Sequence, residues 1–294
     1  MCLDNACGRH FGVVGGVAVL IDEASSVFSA QRALSRSPGG PDALRKRLLW
    51  RLRGLLPALG VNRVAGQNLQ KFQRLLLERG PQPCVLVIGG ARIGAGMNRL
   101  LADSRIERVE SDVLRSERTN LLCDAHRVPF AERTFDGVVI QAVLEHVADP
   151  ERCVSEIHRV LKPEGLVYAE TAFMQQVHAG RHDFCRFTLL GHRRLFRGFE
   201  QIAAGAAAGP AVALAWAWQH FLLSCTASRT GRVLATGIAS LTAFWLKYLD
   251  TYLLARPAAL DAASAFFFLG ARRETRLTDR EVTAVYAGPQ NDVV

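Results

Sequence analysis

The chain divides by the rhythm of its apolar positions. From residue 84 onward, short continuously apolar runs alternate with segments of helical spacing. Cys84-Val85-Leu86-Val87-Ile88 reads as a buried strand, followed by glycines and a helix to about Ala102. Residues 108–111, 120–123, 135–140 and 166–170 read as four more strands. Between the last two of these, 149–161 reads as a helix with Cys153, Ile157, Val160 and Leu161 on one side. Strands that are apolar throughout and separated by helices predict a parallel sheet covered on both faces. Residues 199–204 and 262–269 supply two further strands. The expected fold is α/β, a doubly wound seven-stranded sheet.

The flanks read differently. Residues 1–40 close on Ser35-Arg36-Ser37-Pro38-Gly39-Gly40-Pro41, a loop signal, and read as a loosely attached leader. Within it, 11–20 reads as a strand or a helix and lacks the basic start and cleavage site of a signal peptide. Asp42 caps a segment with Leu44, Leu48, Leu52, Leu55 and Leu59 at helical spacing, and Arg45, Lys46, Arg47, Arg51 and Arg53 elsewhere. A basic amphipathic helix is therefore expected over 42–59, and a second helix over 68–79 that stops at Gly80-Pro81. Between the last two strands lies a helical insertion, 205–261, rich in aromatics: Trp216, Trp218, Phe221, Phe244, Trp245, Tyr248 and Tyr252. It reads as a lid over an apolar pocket. The chain thus divides into 1–80 (leader and basic helices), 81–204 (sheet core), 205–261 (insertion) and 262–294 (last strand and tail). No charged residue stands between Gln201 and Ser228, and 205–223 is long enough to span a bilayer. Gly209-Pro210, Gln219 and His220 interrupt it, so helices lining a pocket are expected instead.

Composition narrows the class. At 294 residues, 49% hydrophobic and 21% charged, this is a globular chain and not a disordered, collagen-like or coiled-coil one. The net charge of +9 is concentrated in residues 1–80, where twelve Lys/Arg face five Asp/Glu; residues 81–200 are balanced at sixteen each. With no basic stripe through the core, a nucleic-acid partner is not expected. The seven cysteines form no CxxC pair, which disfavours zinc ribbons and a disulfide framework and suits the cytoplasm. No metal site is expected either, because the histidines lack ligand spacing and no carboxylate triad joins them.

The first strand runs into Gly89-Gly90-Ala91-Arg92-Ile93-Gly94-Ala95-Gly96. A glycine-rich turn there lets backbone approach a ligand closely and offers N–H groups to anionic or polar atoms. Asp112, with Glu110 beside it, ends the second strand, where a carboxylate can accept from both hydroxyls of a ribose. Asp124 follows the third, where it can accept from the exocyclic amine of an adenine while the Ala125 N–H meets a ring nitrogen. Together they suggest an adenosine-bearing ligand along the carboxyl edge of the sheet.

Three later segments carry a resemblance. They are Val128-Pro129-Phe130 with Phe135-Asp136, then Leu144-Glu145-His146-Val147, then Arg159-Val160-Leu161-Lys162-Pro163-Glu164-Gly165. In this order and spacing the series resembles the class I S-adenosylmethionine-dependent methyltransferases, and within them the type 11 group that includes quinone-biosynthesis C-methyltransferases. The resemblance implies a Rossmann-like core and S-adenosylmethionine as cofactor. It would be held by Gly89, Gly90, Gly94, Gly96, Glu110, Asp112, Asp124, Ala125 and Gln141. Two departures stand out. Val87 replaces the acidic residue usual before the first glycine, and the glycine motif is expanded. On the substrate side the resemblance points to His178, His182, Asp183 and Arg186 as a base or an anion clamp, with a structural Asp183–Arg186 pair as the alternative. The implied reaction is O- or C-methylation of a small, lipophilic or aromatic acceptor. A (D/N)PPY motif is absent after the fourth strand, which disfavours bases of nucleic acid and protein glutamine. A non-catalytic cofactor-binding module and an NAD(P)-binding oxidoreductase stay open as alternatives, as does the oligomeric state. Residues 42–59 and 205–261 are suited to peripheral membrane contact.

Overall fold

The computed structural model describes residues 11–31 and 56–289. Most of the basic helix expected over 42–59 lies outside the described residues. In chain order the strands are β1 (Gly12–Val14), β2 (Val17–Val19), β3 (Cys84–Ile88), β4 (Glu107–Asp112), β5 (Leu121–Leu122), β6 (Phe135–Gln141), β7 (Leu161–Ala172), β8 (Phe199–Ala208) and β9 (Ala265–Arg272). The helices are α1 (Ala65–Arg79), α2 (Asn98–Ala102), α3 (Pro150–Val160), α4 (Leu189–Leu195), α5 (Pro210–Ser224), α6 (Arg229–Ala243), α7 (Leu246–Leu253) and α8 (Asp279–Thr283).

All nine strands join one sheet in the order β1-β2-β5-β4-β3-β6-β7-β9-β8. From β2 to β7 each neighbouring pair is parallel, while β9 runs antiparallel to both β7 and β8. The chain moves outward from β3 to β4 and β5, then returns past β3 to β6 and β7. Strand order therefore reverses between β3 and β6, and their carboxyl ends frame the crevice where doubly wound sheets take ligands. Both faces are covered. Leu69, Phe72 and Leu76 of α1 and Leu100 of α2 pack on Val85, Val87 and Tyr168. Cys153, Val154, Ile157 and Val160 of α3 pack on Leu86, Val138 and Val167 opposite. The motif segments brace this scaffold: Arg159 donates to the carbonyls of Val128 and Phe130, and Lys162 to the carboxylate of Asp136.

The seven expected strands are present, and the segment 11–20, expected as a strand or a helix, supplies two more. Gly15 (φ +56°) and Gly16 (φ +80°) make the two-residue turn that joins β1 to β2, and left-handed backbone at both central positions is what a type I′ hairpin requires. The hairpin then covers the open edge of β5 through Ala18 and Val19. Residues 11–19 are thus part of the sheet and not a loose leader. At the other end β8 runs on to Ala208, four residues beyond the expected 204, because its second half is alanine and glycine and carries little apolar signal.

The insertion holds three α-helices, α5 to α7, and a buried carboxylate ties the third to the start of the first. Asp250 of α7, 1% exposed, accepts from the backbone N–H groups of Gly209, Ala211 and Val212 at the start of α5. Its aromatic rings do not all converge on one pocket: Phe221, Trp245, Tyr248 and Tyr252 are exposed, while Trp216 lies near a histidine of the sheet's carboxyl edge. Among the described residues no helix is long and apolar enough to cross a membrane.

His192 of α4 is 1% exposed, and burial, followed by the charge of Arg193, pushes its imidazole down to about 3 from 6.5. Between those values the unfolded chain takes up a proton that the folded chain refuses. Stability should therefore fall as the pH is lowered from 6.5, by at most about 1.4 kcal/mol per unit for this group. Urea unfolding of His192→Leu should show a shallower acid slope than wild type down to about pH 5.

Candidate functional site

β3 ends at Ile88, and Gly89 turns the chain with φ +83°; a Cβ there would lie 2.4 Å from the Val143 side chain. The N–H groups of Gly89 and Gly90 donate to the Ser111 carbonyl, and that of Ala91 donates to Asp112 Oδ2 at 2.9 Å. Asp112 Oδ1 accepts from the Leu114 N–H. Asp112 thus fastens the glycine turn to the end of β4. Burial raises its carboxyl above the usual range, against these hydrogen bonds. Glu110 is paired with Arg118, whose Nη2 meets both carboxylate oxygens at 2.6 Å.

The structure brings Gly89, Gly90, Gly94, Glu110 and Gln141 into one crevice between β3 and β6, with Arg118 in its wall. Its volume is about 20 Å³. Gln141 fills the space over the turn: Nε2 donates to the Ala95 carbonyl, and a Cβ on Gly94 would meet its Oε1 at 2.2 Å. Gly96 (φ +76°) lies away from this crevice, against the backbone of Ala65 and Gly66 at the start of α1.

Asp124 follows β5 and is 5% exposed. It accepts from Ser26 Oγ, the His126 N–H and His126 Nδ1. Burial alone would raise its carboxyl, but the bonds from His126 and Ser26 prevail and hold it low. Ala125 is buried among the core side chains under α3. Ser26 belongs to a segment that leaves β2 and crosses the carboxyl edge, where Phe28 stacks on His182 with ring centroids 5.1 Å apart. This strap closes over Asp124 on one side and the loop after β7 on the other. Sequence reasoning missed Ser26 and Phe28, because nothing in residues 22–31 announces a tertiary contact.

In the loop after β7, Arg186 makes five hydrogen bonds: Nε to Gln175 O, Nη1 to Asp183 and Cys185 O, Nη2 to Gln176 O and Asp183. A guanidinium has five N–H donors, so none is left for a substrate anion. Asp183 also accepts from the N–H groups of His178 and Ala179. Burial works against its ionised form, yet Arg186 and those two amides hold it well below the usual carboxylate range. The geometry therefore gives the pair a loop-clamping part in place of the expected anion clamp, and the clamped residue is His178.

The fold draws together two histidines that lack ligand spacing in the sequence. His146 and His178 stand edge to face at 4.9 Å, and Trp216 of α5 lies 6.3 Å from His178. Glu145, on the 3₁₀ turn Leu144–His146, joins them: one ligand atom from each of Glu145, His146 and His178 lies within 4.8 Å of the others. The expectation of no metal-ligand cluster rested on sequence spacing, and the fold closes a gap that spacing cannot show. Glu145 is 1% exposed, and burial pushes its carboxyl up to about 7. Another buried acid was also missed. Glu170 accepts from Tyr168 Oη and from Asn62 Nδ2, while Asn62 Oδ1 accepts from the Ala65 N–H, tying α1 to β7 beside the crevice. A charge within the apolar run 166–172 was its signal.

Residues 100–169 match the type 11 methyltransferase family, described as a methyltransferase domain. A demethylmenaquinone methyltransferase of Clavibacter sepedonicus is 29% identical over 163 residues, 52% of this chain and 56% of that protein. A ubiquinone/menaquinone biosynthesis C-methyltransferase of Teredinibacter turnerae is 28% identical over 160 residues, 53% of this chain and 57% of that one. The chain spans little more than half the length of these curated relatives. Among solved structures, phosphoethanolamine N-methyltransferase 2 of Haemonchus contortus in complex with S-adenosyl-L-methionine is 16% identical, with a TM-score of 0.46 over 85% of this chain and 61% of that one.

If Arg186 clamps the loop, Arg186→Ala should speed amide exchange across residues 175–186 and lower stability by about 1.5–3 kcal/mol, the range for hydrogen bonds to a charged group. Unchanged exchange in that segment would show the loop to be held elsewhere.

Proposed function

We propose that this chain, an S-adenosylmethionine-dependent methyltransferase of the type 11 family, methylates a small lipophilic or aromatic acceptor at oxygen or carbon. The observation that supports this reading is the alignment of the glycine turn, Asp112 and Asp124 at the carboxyl ends of β3, β4 and β5, neighbours in the sheet. The cofactor supplies an electrophilic methyl group on a sulfonium. Catalysis can then come mainly from holding the acceptor in line with that methyl.

The residues present suit such a ligand. Backbone without side chains lies at Gly89 and Gly90, and Asp112 has spent only part of its accepting capacity on Ala91 and Leu114. The crevice, at about 20 Å³, is far below the several hundred Å³ of an ordinary ligand pocket. Entry therefore requires Gln141 to leave Ala95 and the turn to open. The acceptor end lies between the histidines and α5, where Trp216 supplies an aromatic wall; this supports the insertion as a lid and an apolar acceptor. A second reading, binding without methyl transfer, is favoured by Val87 in the place of an acid and by the expanded glycine loop.

Calorimetry with S-adenosylhomocysteine and with NADH separates these readings from the oxidoreductase one. Heat is expected with the first ligand alone. Asp112→Ala should weaken it by about 1–3 kcal/mol, and unaltered affinity in the folded variant would remove Asp112 from the site. Transfer of labelled methyl into a lipid and metabolite extract is expected; cofactor binding with no transfer to any fraction would favour the second reading.

A further inference from the structure

We infer that Glu145, His146 and His178 form a site for one divalent transition ion, at the acceptor end of the crevice. Their ligand atoms lie within 4.8 Å of one another. Around a tetrahedral ion with bonds of about 2.0–2.2 Å, ligand atoms stand roughly 3.3–3.5 Å apart. Side-chain movements of about an ångström would therefore close the triad.

Two independent observations point to a ligand for these groups. Glu145 is 1% exposed, and its Oε2 is buried without a hydrogen-bond partner. A carboxylate oxygen so placed is costly to leave alone, and a cation satisfies it. Each imidazole, in turn, has one nitrogen committed to backbone and the other free. His146 Nδ1 donates to the His182 carbonyl at 2.9 Å and His178 Nδ1 to that of Gln176 at 3.2 Å. A carbonyl on one ring nitrogen fixes the tautomer that offers the other to a metal. The Arg186–Asp183 clamp holds the backbone of His178 from behind.

Two imidazoles and one carboxylate suit zinc, manganese or iron(II), and three protein ligands leave coordination positions open. Trp216 lies 6.3 Å from the His178 ring, beside the site. On the methyl-transfer reading, on which this last point rests, an ion there would bind the oxygen of an acceptor hydroxyl and lower its pKa, so that the proton passes to water while the oxygen takes the methyl group and the sulfur–methyl bond breaks to leave the thioether. Ion binding itself does not depend on that reading.

The test uses the full untagged chain, stripped with chelator and titrated with zinc and with manganese under calorimetry, with bound metal counted by mass spectrometry. One ion per chain is expected for the wild type, with affinity at least tenfold lower in Glu145→Gln and in His178→Ala. His178 stands on the surface loop, so its variant keeps the test valid if the buried Glu145→Gln fails to fold. His220→Ala, beside Trp216 but outside the triad, should bind as wild type does. No stoichiometric ion in the wild type, or an equal loss in His220→Ala, overturns the site. S-adenosylhomocysteine affinity measured on the same samples reports separately on the proposed function.

Discussion

A parallel sheet covered by helices on both faces has no open surface left for chemistry except at the ends of its strands. Here six strands, β2 to β7 in the sheet's order, point the same way, so the loops that follow β3, β4, β5, β6 and β7 all emerge on one edge. The glycine turn, Asp112, Asp124, Glu145 and His178 lie in or beside those loops. They are far apart in sequence and come together because the hydrogen-bond ladders set the strands side by side. The packing of Val85, Leu86, Val138 and Val167, each fully buried, is what holds that edge in register.

Irregular backbone at either edge of the sheet leaves carbonyls that no ladder can satisfy. This chain meets much of that need with arginine. Arg159 donates to Val128 and Phe130, Arg186 to Gln175, Gln176 and Cys185, and Arg193 to Phe196 and Phe199. A guanidinium's planar fork can span two carbonyls at once, which the single ammonium of lysine does less well. The abundance of arginine therefore has structural work to do, beyond the charge it adds.

What was legible in the sequence follows the same physics. The β3, β6 and β7 runs are apolar because both faces are buried, and their pattern alone marked them. The β1–β2 hairpin carried weaker signal: three-residue strands, with Val13 and Val14 exposed, give no periodicity, although Gly15-Gly16 between valines was a turn cue. Asp112 and Asp124 were legible as acids at strand ends. Their partners were not, since Ser26 reaches Asp124 across 98 residues and Arg118 has no motif. The Glu145–His146–His178 cluster was hidden for the same reason, with two of its members inside a recognised motif and the third on another loop.

The strap has a consequence for how the chain is made. Residues 11–31 leave the ribosome before their partners Leu121, Leu122, Asp124 and His182, which are synthesised about a hundred residues or more later. Until then the hairpin has no edge to join, and a two-stranded ribbon on its own is marginal in water. Closing so long a loop costs entropy before the pairing returns anything. A segment made well before its partners is therefore among the last to dock, and it does so by sealing an edge that the rest of the fold has already built.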